Sequence, residues 1–163
     1  MAPVHAQAVK TVIESCGDLN TQSDMNDCAA TVAKKADEAL NATYAELLNK
    51  VKENKTATEK VVAAEKAWIV FRDAELAAEW PVAEGENPNI LYGSVHPFCY
   101  YNEFATMTRE RAETLKELMQ SEEGDVCSSG LAQTGQYFRG RTCNSNPRGA
   151  AARVGTAVRK LTM

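Results

Sequence analysis

The sequence predicts an all-α fold, a small antiparallel bundle of three main helices with a long loop between the second and third. Apolar residues recur at three- and four-residue spacing in three separate stretches, which is the pattern of amphipathic helices. A polar break at 52–55 separates the first two stretches, and a connection rich in Gly, Asn and Pro separates the last two. The short first connection makes the first two helices antiparallel neighbours.

The first helix begins near Thr21 to Asp24, because hydroxyl and carboxylate side chains cap the free N–H groups of a helix start. Polar atoms interrupt its apolar stripe at Asp37, Asn41 and Tyr44, on or beside the inner face. These three side chains are the candidates to bind a cation from the next helix. The stripe itself consists of Met25, Cys28, Ala29, Val32, Ala36, Leu40, Tyr44, Leu47 and Val51.

The second helix begins at Thr56, which forms a capping-box pattern with Glu59, and ends near Trp80, since Pro81 lacks a backbone donor. Its densest stretch is AWIVFRDAE at 67–75, where bulk and charge share one side of the helix. Glu65, Lys66 and Glu79 are expected on a solvated side.

Three residues of this stretch, Trp68, Arg72 and Asp73, allow two interpretations, a binding surface or a structural clamp. We favour the clamp, in which Arg72 meets Asp37 or Asn41, because a planar guanidinium suits fixed internal bonding and a helix-borne Trp is usually core.

The third helix is predicted to begin between Asn102 and Thr108 and to end near Ser121. Arg111 lies on its inner stripe and joins the clamp, with Asp73 or Glu75 as its partner. The connection before this helix, 81–101, is long and aromatic toward its end, and long irregular connections in compact domains often carry function.

Charge is distributed unevenly along the 163 residues. Residues 1–127 hold 12 Lys and Arg against 22 Asp and Glu, whereas 128–163 hold six basic residues and no acidic one. An acidic body repels nucleic acid and anionic lipid and attracts a basic protein partner. We interpret 128–163 as a basic, mostly disordered tail. No apolar run approaches the roughly 20 residues that a transmembrane helix needs.

Five cysteines and only two histidines argue against a zinc site and leave disulfides or buried thiols. Residues 1–8, MAPVHAQA, have the small-residue pattern of a signal-peptidase site without the rest of a signal peptide. We expect 1–15 to be an export-signal remnant and lead-in, with an unstructured cytosolic leader as the alternative. Export places the protein in the periplasm or outside the cell, where cysteines pair.

Several segments, taken in order, resemble the LprI-like lysozyme-inhibitor family. They are Cys16 with QSDMNDCA at 22–29, ADEALNATY at 36–44, AWIVFRDAE at 67–75, YGS at 92–94 with Cys99, and TRERAETL at 108–115. The resemblance covers roughly residues 16 to 127, which we assign as the domain. It implies a small helical domain of the bacterial periplasm or cell envelope, lipid-anchored in some members, and for the named member inhibition of lysozyme.

The resemblance also implies a disulfide pattern. Family members often read FRDAEC where this chain has Leu76, and that cysteine pairs with the one before the last helix. Cys99 then needs another partner, so we predict Cys16–Cys28 and Cys99–Cys127, with Cys143 unpaired.

The function that follows is occlusion of a muramidase cleft by a non-enzymatic protein that needs no cofactor or metal. Partner contacts are assigned to the aromatic end of the connection, at Tyr92, Ser94, His96, Phe98, Tyr100 and Tyr101. The alternative is a structural or stress-related periplasmic protein, or an immunity protein that binds another partner. We expect a monomer or a weak dimer.

A catalytic reading of His96 and Cys99 fails because a nucleophilic Cys also needs an orienting third group, and none is evident. No phosphate loop, nucleophile elbow or metal-ligand cluster is present in the sequence.

Overall fold

The computed structural model of the protein describes residues 16–120 and 129–131, and four helices lie wholly within these ranges. They are α1 (Gln22–Val51), α2 (Lys55–Glu79), the one-turn α3 (Pro88–Leu91) and α4 (His96–Met119). No strand occurs in the described residues, so the all-α prediction is confirmed, with α1, α2 and α4 as the three main helices. None of the described helices has the length and apolar character needed to cross a membrane.

Side-chain caps fix the starts of α1 and α2. The Asp24 N–H donates to the Thr21 hydroxyl oxygen at 3.1 Å, which confirms the predicted start of α1. The second start lies slightly earlier than predicted, because Asn54 and not Thr56 is the cap and accepts from the Ala57 N–H at 3.0 Å. Asn is among the strongest N-cap residues, which leaves Thr56 inside the helix.

The predicted start of α4, between Asn102 and Thr108, is wrong, since the helix begins at His96. Pro97 occupies its first turn, where a missing N–H costs nothing and the fixed φ suits a helix. A turn with Gly93 at φ +81° precedes it, and the His96 N–H donates to the Gly93 carbonyl at 3.1 Å. The irregular connection is therefore 80–95, and the stretch 96–101 is helical.

The three main helices run up, down and up. Near the start of α2 the Thr58 hydroxyl donates to the Val51 carbonyl at the end of α1, and further along α2 Arg72 faces Asp37 in the middle of α1, so this pair is antiparallel as predicted. Asn26 donates to the Ser94 carbonyl just before α4, and Lys50 donates to the Met119 carbonyl at its end, so α1 and α4 run parallel.

Small residues line the seam between α1 and α4, which form the most extensive helix interface of the bundle. Ala33 and Ala36 of α1 and Ala105 and Thr108 of α4 are all buried there. Side chains of this size let two helix backbones approach closely. The helix α2 is held further away, behind the larger Trp68 and Arg72.

Two apolar clusters form the core. The disulfide-end cluster contains Cys16, Val32, Ala33, Ala36 and Ala105, with Cys28, Phe98 and Phe104 packed against it. The hairpin-end cluster, near the α1–α2 turn, contains Leu40, Leu47, Val51, Val61, Ala112 and Leu115. Leu131 packs against the hairpin-end cluster, whereas segment 1–15 and the rest of the basic tail lie outside the described residues.

Cys16 and Cys28 form a disulfide with their Cα atoms 5.6 Å apart, which confirms the first predicted bond. It ties the chain before α1 to the first turns of that helix. In the chain-entropy account a loop of this length stabilises the fold by about 3 kcal/mol.

The predicted Cys99–Cys127 bond is not found, because Cys99 has a free, half-buried thiol. Cys127 and Cys143 lie outside the described residues. Cys99 lies in the first turn of α4, and the helix carries the chain about 30 Å away by Met119, so a bond to Cys127 would require the chain to return along almost the whole helix in an extended form.

Enlarging a side chain in the α1–α4 seam is expected to destabilise the protein. Ala105 is 0% exposed, so Ala105→Leu should lower the free energy of unfolding by about 1–3 kcal/mol or more through overpacking. Urea denaturation monitored by circular dichroism measures this. The matched change Ala39→Leu on the exposed side of α1 should leave stability within about 0.5 kcal/mol. Equal losses for the two variants would contradict a tightly packed seam.

Candidate functional site

An aromatic cluster lies at the end of the bundle where α2 ends and α4 begins. The His96 ring stacks on Tyr92 with centroids 5.6 Å apart and meets the edge of Trp80 at 5.9 Å. Tyr100 completes the cluster, with its ring 6.0 Å from both Trp80 and His96. The end of α2, the connection and the start of α4 thus contribute four rings in mutual contact. Aromatic pairs at these distances prefer defined relative orientations.

One hydrogen bond fastens the connection to this cluster. The Tyr92 hydroxyl donates to the Pro81 carbonyl at 2.8 Å, which joins the two ends of the loop that contains α3. Within the loop, the Asn87 side chain caps α3 by accepting from the Asn89 N–H at 2.9 Å. These two hydrogen bonds give the surface loop a defined shape.

The structure brings most of the predicted partner-binding residues together. Tyr92, His96 and Tyr100 form the cluster, and the partly exposed Tyr101 contacts Tyr100 at 5.6 Å between centroids. Ser94 is exposed, and its carbonyl accepts from the Asn26 side chain at 3.0 Å. Phe98 does not join the aromatic cluster. It lies in the first turn of α4 and packs against the disulfide-end cluster.

Exposed apolar residues beside the cluster were missed by the sequence analysis. Ile90 is 84% exposed, and Leu91, Val95 and Val82 also present large apolar side chains to solvent. Clustered exposed apolar side chains are typical of interaction surfaces. Their signal in the sequence is weak, because Ile and Leu inside a turn-rich connection also fit a loop folded onto the core. We define the aromatic end as Trp80, Val82, Ile90, Leu91, Tyr92, Val95, His96, Tyr100 and Tyr101.

The inner charged layer of the bundle differs from the predicted clamp. The Arg111 guanidinium donates to Oε2 of Glu65 from Nε at 3.0 Å and from Nη2 at 2.9 Å. Glu65 is only 6% exposed, so its predicted place on a solvated side is wrong, and the predicted Arg111 partners Asp73 and Glu75 are replaced by it. Glu65 lies on the same face as Arg72, seven residues earlier, which is two helical turns.

Arg72 occupies the space between two aromatic rings. Its guanidinium lies 4.3 Å from the Phe104 centroid and 5.2 Å from the Trp68 centroid. It donates to Oδ1 of Asp73 at 2.8 Å and lies 3.9 Å from Oδ1 of Asp37. The predicted contact to α1 is therefore an ion pair with Asp37, while Asn41 supports that carboxylate by donating to its Oδ2 at 3.0 Å.

Trp68 joins the two arginines, since Arg111 also lies 5.8 Å from its centroid. Tyr44 and Trp68 both pack against the hairpin-end cluster. Burial, and secondarily the charge of Glu65, raise the pKa of the Tyr44 hydroxyl. We define the clamp as Asp37, Asn41, Tyr44, Glu65, Trp68, Arg72, Asp73, Phe104 and Arg111, which lies between the two apolar clusters and fastens α2 to its neighbours.

Two further residues on α4, Glu103 and Arg109, lie in surroundings that disfavour their charged forms. Burial raises the pKa of Glu103, and the nearby charges of Glu79 and Glu110 raise it further. Burial lowers the pKa of Arg109, whose Nη1 lacks a hydrogen-bond partner among the described residues. Neither arrangement stabilises the fold. No group of His, Cys, Asp and Glu suited to a metal ion occurs in the described ranges.

Comparison with known proteins places this architecture in a family. The model of the family described as lysozyme inhibitor LprI matches residues 14–115, which contain the disulfide, the clamp and the aromatic end. This chain belongs to the LprI lysozyme-inhibitor family. LprI membership confirms the resemblance found in the sequence.

A curated relative of this LprI protein gives no further information on activity. It is an uncharacterized protein of Rhizobium meliloti (strain 1021), 30% identical over 133 residues, which are 75% of this chain and 88% of the relative. No solved structure matches.

Removing one partner of the buried ion pair is expected to destabilise the protein strongly. Arg111→Ala leaves the buried Glu65 carboxylate unpaired and should cost about 3–5 kcal/mol of unfolding free energy. Arg72→Ala should cost about 1–2 kcal/mol, because Asp37 and Asp73 remain hydrated and mainly the stacking is lost. Urea titrations of both variants provide the comparison. The double variant Glu65→Leu with Arg111→Met, which removes both charges, should recover most of the loss.

The relative size of the two losses shows which arginine contributes more to fastening α2 to its neighbours. If Arg72→Ala were the more damaging change, the ion pair with Glu65 would not be the main fastening.

Neutralising Glu103 is expected to raise stability near neutral pH. Its pKa is raised on folding, so the folded state binds more protons and stability falls as pH rises through its titration. Glu103→Gln should raise the Tm at pH 7 by about 2–4 °C and leave it unchanged at pH 3, where the carboxyl is protonated. Differential scanning calorimetry at both pH values measures this, with the exposed Glu53→Gln as the control. An equal gain at pH 3 would contradict the electrostatic explanation.

Proposed function

We propose that this protein inhibits a lysozyme by inserting the aromatic end into or across the substrate cleft. Membership of the LprI family supports lysozyme as the class of partner. The observation that carries the choice of surface is the position of Ile90 and Leu91, two exposed apolar side chains on a loop held by the aromatic cluster.

The aromatic end has the features of a protein-binding surface. Ile90 and Leu91 lie on α3, whose cap and flanking turns fix the backbone, so little conformational entropy is lost on binding. The rings of Tyr92 and His96 support the loop from behind, and Tyr101 adds an exposed ring beside them. Preformed apolar anchors with polar neighbours are typical of the centre of protein interfaces.

Charge complementarity supports a basic partner. Residues 1–127 have a net charge of −10, from 12 basic and 22 acidic residues. Glu84 and Glu86 lie in the connection beside the anchors. A lysozyme with a basic surface would be attracted over long range, which raises the association rate more than the affinity.

The mechanism is steric and stoichiometric. The inhibitor covers the cleft, and neither a cofactor nor a covalent step is part of it. Export to the periplasm or beyond belongs to this proposal, because lysozyme acts on the cell wall there. The Cys16–Cys28 disulfide supports it, since such bonds persist in oxidising compartments.

Placing a charge at the tip of α3 is expected to abolish inhibition without unfolding the protein. Ile90→Glu puts a carboxylate in the centre of the interface, so the inhibition constant should rise at least about tenfold. Turbidity assays of lysis with a panel of lysozymes of different classes measure this. Val70→Glu is the matched control, because Val70 is also an exposed apolar residue, at 69%, but lies on α2 and outside the aromatic end.

The outcomes separate function from site. No inhibition of any lysozyme by the wild-type protein at micromolar excess contradicts the proposed function. Inhibition that Ile90→Glu leaves unchanged contradicts the site. A double alanine change at Tyr92 and His96 should weaken inhibition less completely than Ile90→Glu, because those rings support the loop and Ile90 makes the contact.

A further inference from the structure

A second apolar surface runs along the outer side of α2. This helix buries only Val61, Glu65 and Leu76 toward the core. Between 63 and 78 its opposite side presents the exposed apolar residues Ala63, Ala67, Val70, Phe71, Ala74 and Ala78, and we name this set the outer face. The exposed Lys60 lies on the same side, before the first of them. Nothing in the described part of the chain covers it. The lysozyme proposal does not use it, because the aromatic end lies beyond the C-terminus of α2.

The spacing of the outer face matches the seam of a helix pair. Positions 63, 67, 70 and 74 follow one another at steps of four, three and four residues, which is the apolar repeat by which two helices pack along their length. The charged residues Lys66 and Asp73 lie together on one edge of the face, and Glu75 lies on the other edge. A surface helix of a monomer normally carries charges on its outward side.

We propose that the outer face binds the outer face of a second copy of this chain, with the two α2 helices antiparallel. Such a pair is symmetric about a two-fold axis close to Val70, so each copy contributes the same residues. Alanines at four positions let the helix axes approach closely, while Val70 and Phe71 supply the larger contacts at the centre.

Charge on the edge selects the antiparallel orientation. In an antiparallel pair with this axis, the edge that carries Lys66 and Asp73 meets the same edge of the second copy. The two helices run in opposite directions, so Lys66 of one copy lies near Asp73 of the other. In a parallel pair opposite edges meet, and Lys66 finds no acidic residue at its level. Arg72 donates to Oδ1 of Asp73, and within 16–120 and 129–131 no cation contacts Oδ2, which can accept from a further one. Lys66 has no ion-pair partner among the described residues.

The contact is one helix wide, which limits its strength. Interfaces of this kind lie at the small end of the specific range, and we expect a dissociation constant of about 10–100 µM. The dimer then forms only where the protein is concentrated, and the aromatic ends remain free on both copies.

Sedimentation equilibrium of the full chain tests the proposal. Between about 5 µM and about 500 µM the weight-average mass of the wild-type protein should rise from the monomer value of 17.8 kDa toward twice that value. Val70→Glu should stay monomeric over the same range, with an unchanged Tm because the side chain is exposed. Ile90→Glu, at a still more exposed apolar position outside the outer face, should associate like the wild type.

Two further measurements examine the orientation. Lys66→Glu places two acidic residues opposite each other and should weaken association at least about fivefold. Added salt at about 0.5 M should weaken wild-type association by screening the same pairs. An unchanged affinity for Lys66→Glu would overturn the antiparallel arrangement.

Other occupants of the outer face give different results. A wild-type protein that stays monomeric at about 500 µM, or a Val70→Glu variant that associates normally, overturns the proposal. If the wild type stays monomeric and Val70→Glu loses lysozyme inhibition or binding to anionic vesicles, the face belongs to that contact instead. Failure to dimerise alone leaves the lysozyme proposal standing, because Ile90→Glu tests inhibition and Val70→Glu tests association.

Discussion

The ion pair between Glu65 and Arg111 determines how α2 sits in this bundle. The helices α1 and α4 pack through Ala and Thr and would associate closely without it. The helix α2 buries few apolar residues of its own, so its attachment relies on charge and on aromatic stacking. Because the Glu65 carboxylate is nearly inaccessible to water, it requires its partner, and the pair fixes the register of α2 against α4.

Register at the clamp is transmitted to the functional end of the molecule. From Glu65 the rigid helix continues for four turns to Trp80, whose ring meets His96 and Tyr100 at the start of α4. A shift of α2 by one residue would move Trp80 away from that cluster and release the loop fastened by Tyr92 and Pro81. The same attachment, made through one side only, leaves the outer face of α2 open to a second copy.

Sequence reasoning recovered the parts of the structure that local rules control. Apolar spacing and the Thr21 cap located α1, and the family resemblance supplied the Cys16–Cys28 bond. Local rules do not decide the structure where one residue type fits two structural roles. Pro97 fits a turn as well as the first turn of a helix, and it takes the second role here. Glu65 has the pattern of a solvated acid, because its partner Arg111 lies 46 positions away. The exposure of Ile90 and of the outer face depends on tertiary packing, which no local sequence pattern encodes.

Hydrogen exchange of the free and lysozyme-bound protein, followed by mass spectrometry, tests the account most directly. Amides of the connection 81–95 lack regular helical bonding outside α3 and should exchange fast in the free protein. With the aromatic end as the contact surface, a bound lysozyme should slow exchange in 81–95 and in the first turns of α4, and should leave exchange in 63–78 of α2 unchanged. Slowing confined to α2, or an inhibited complex with no slowing in 81–95, would contradict the assignment of the aromatic end as the contact surface.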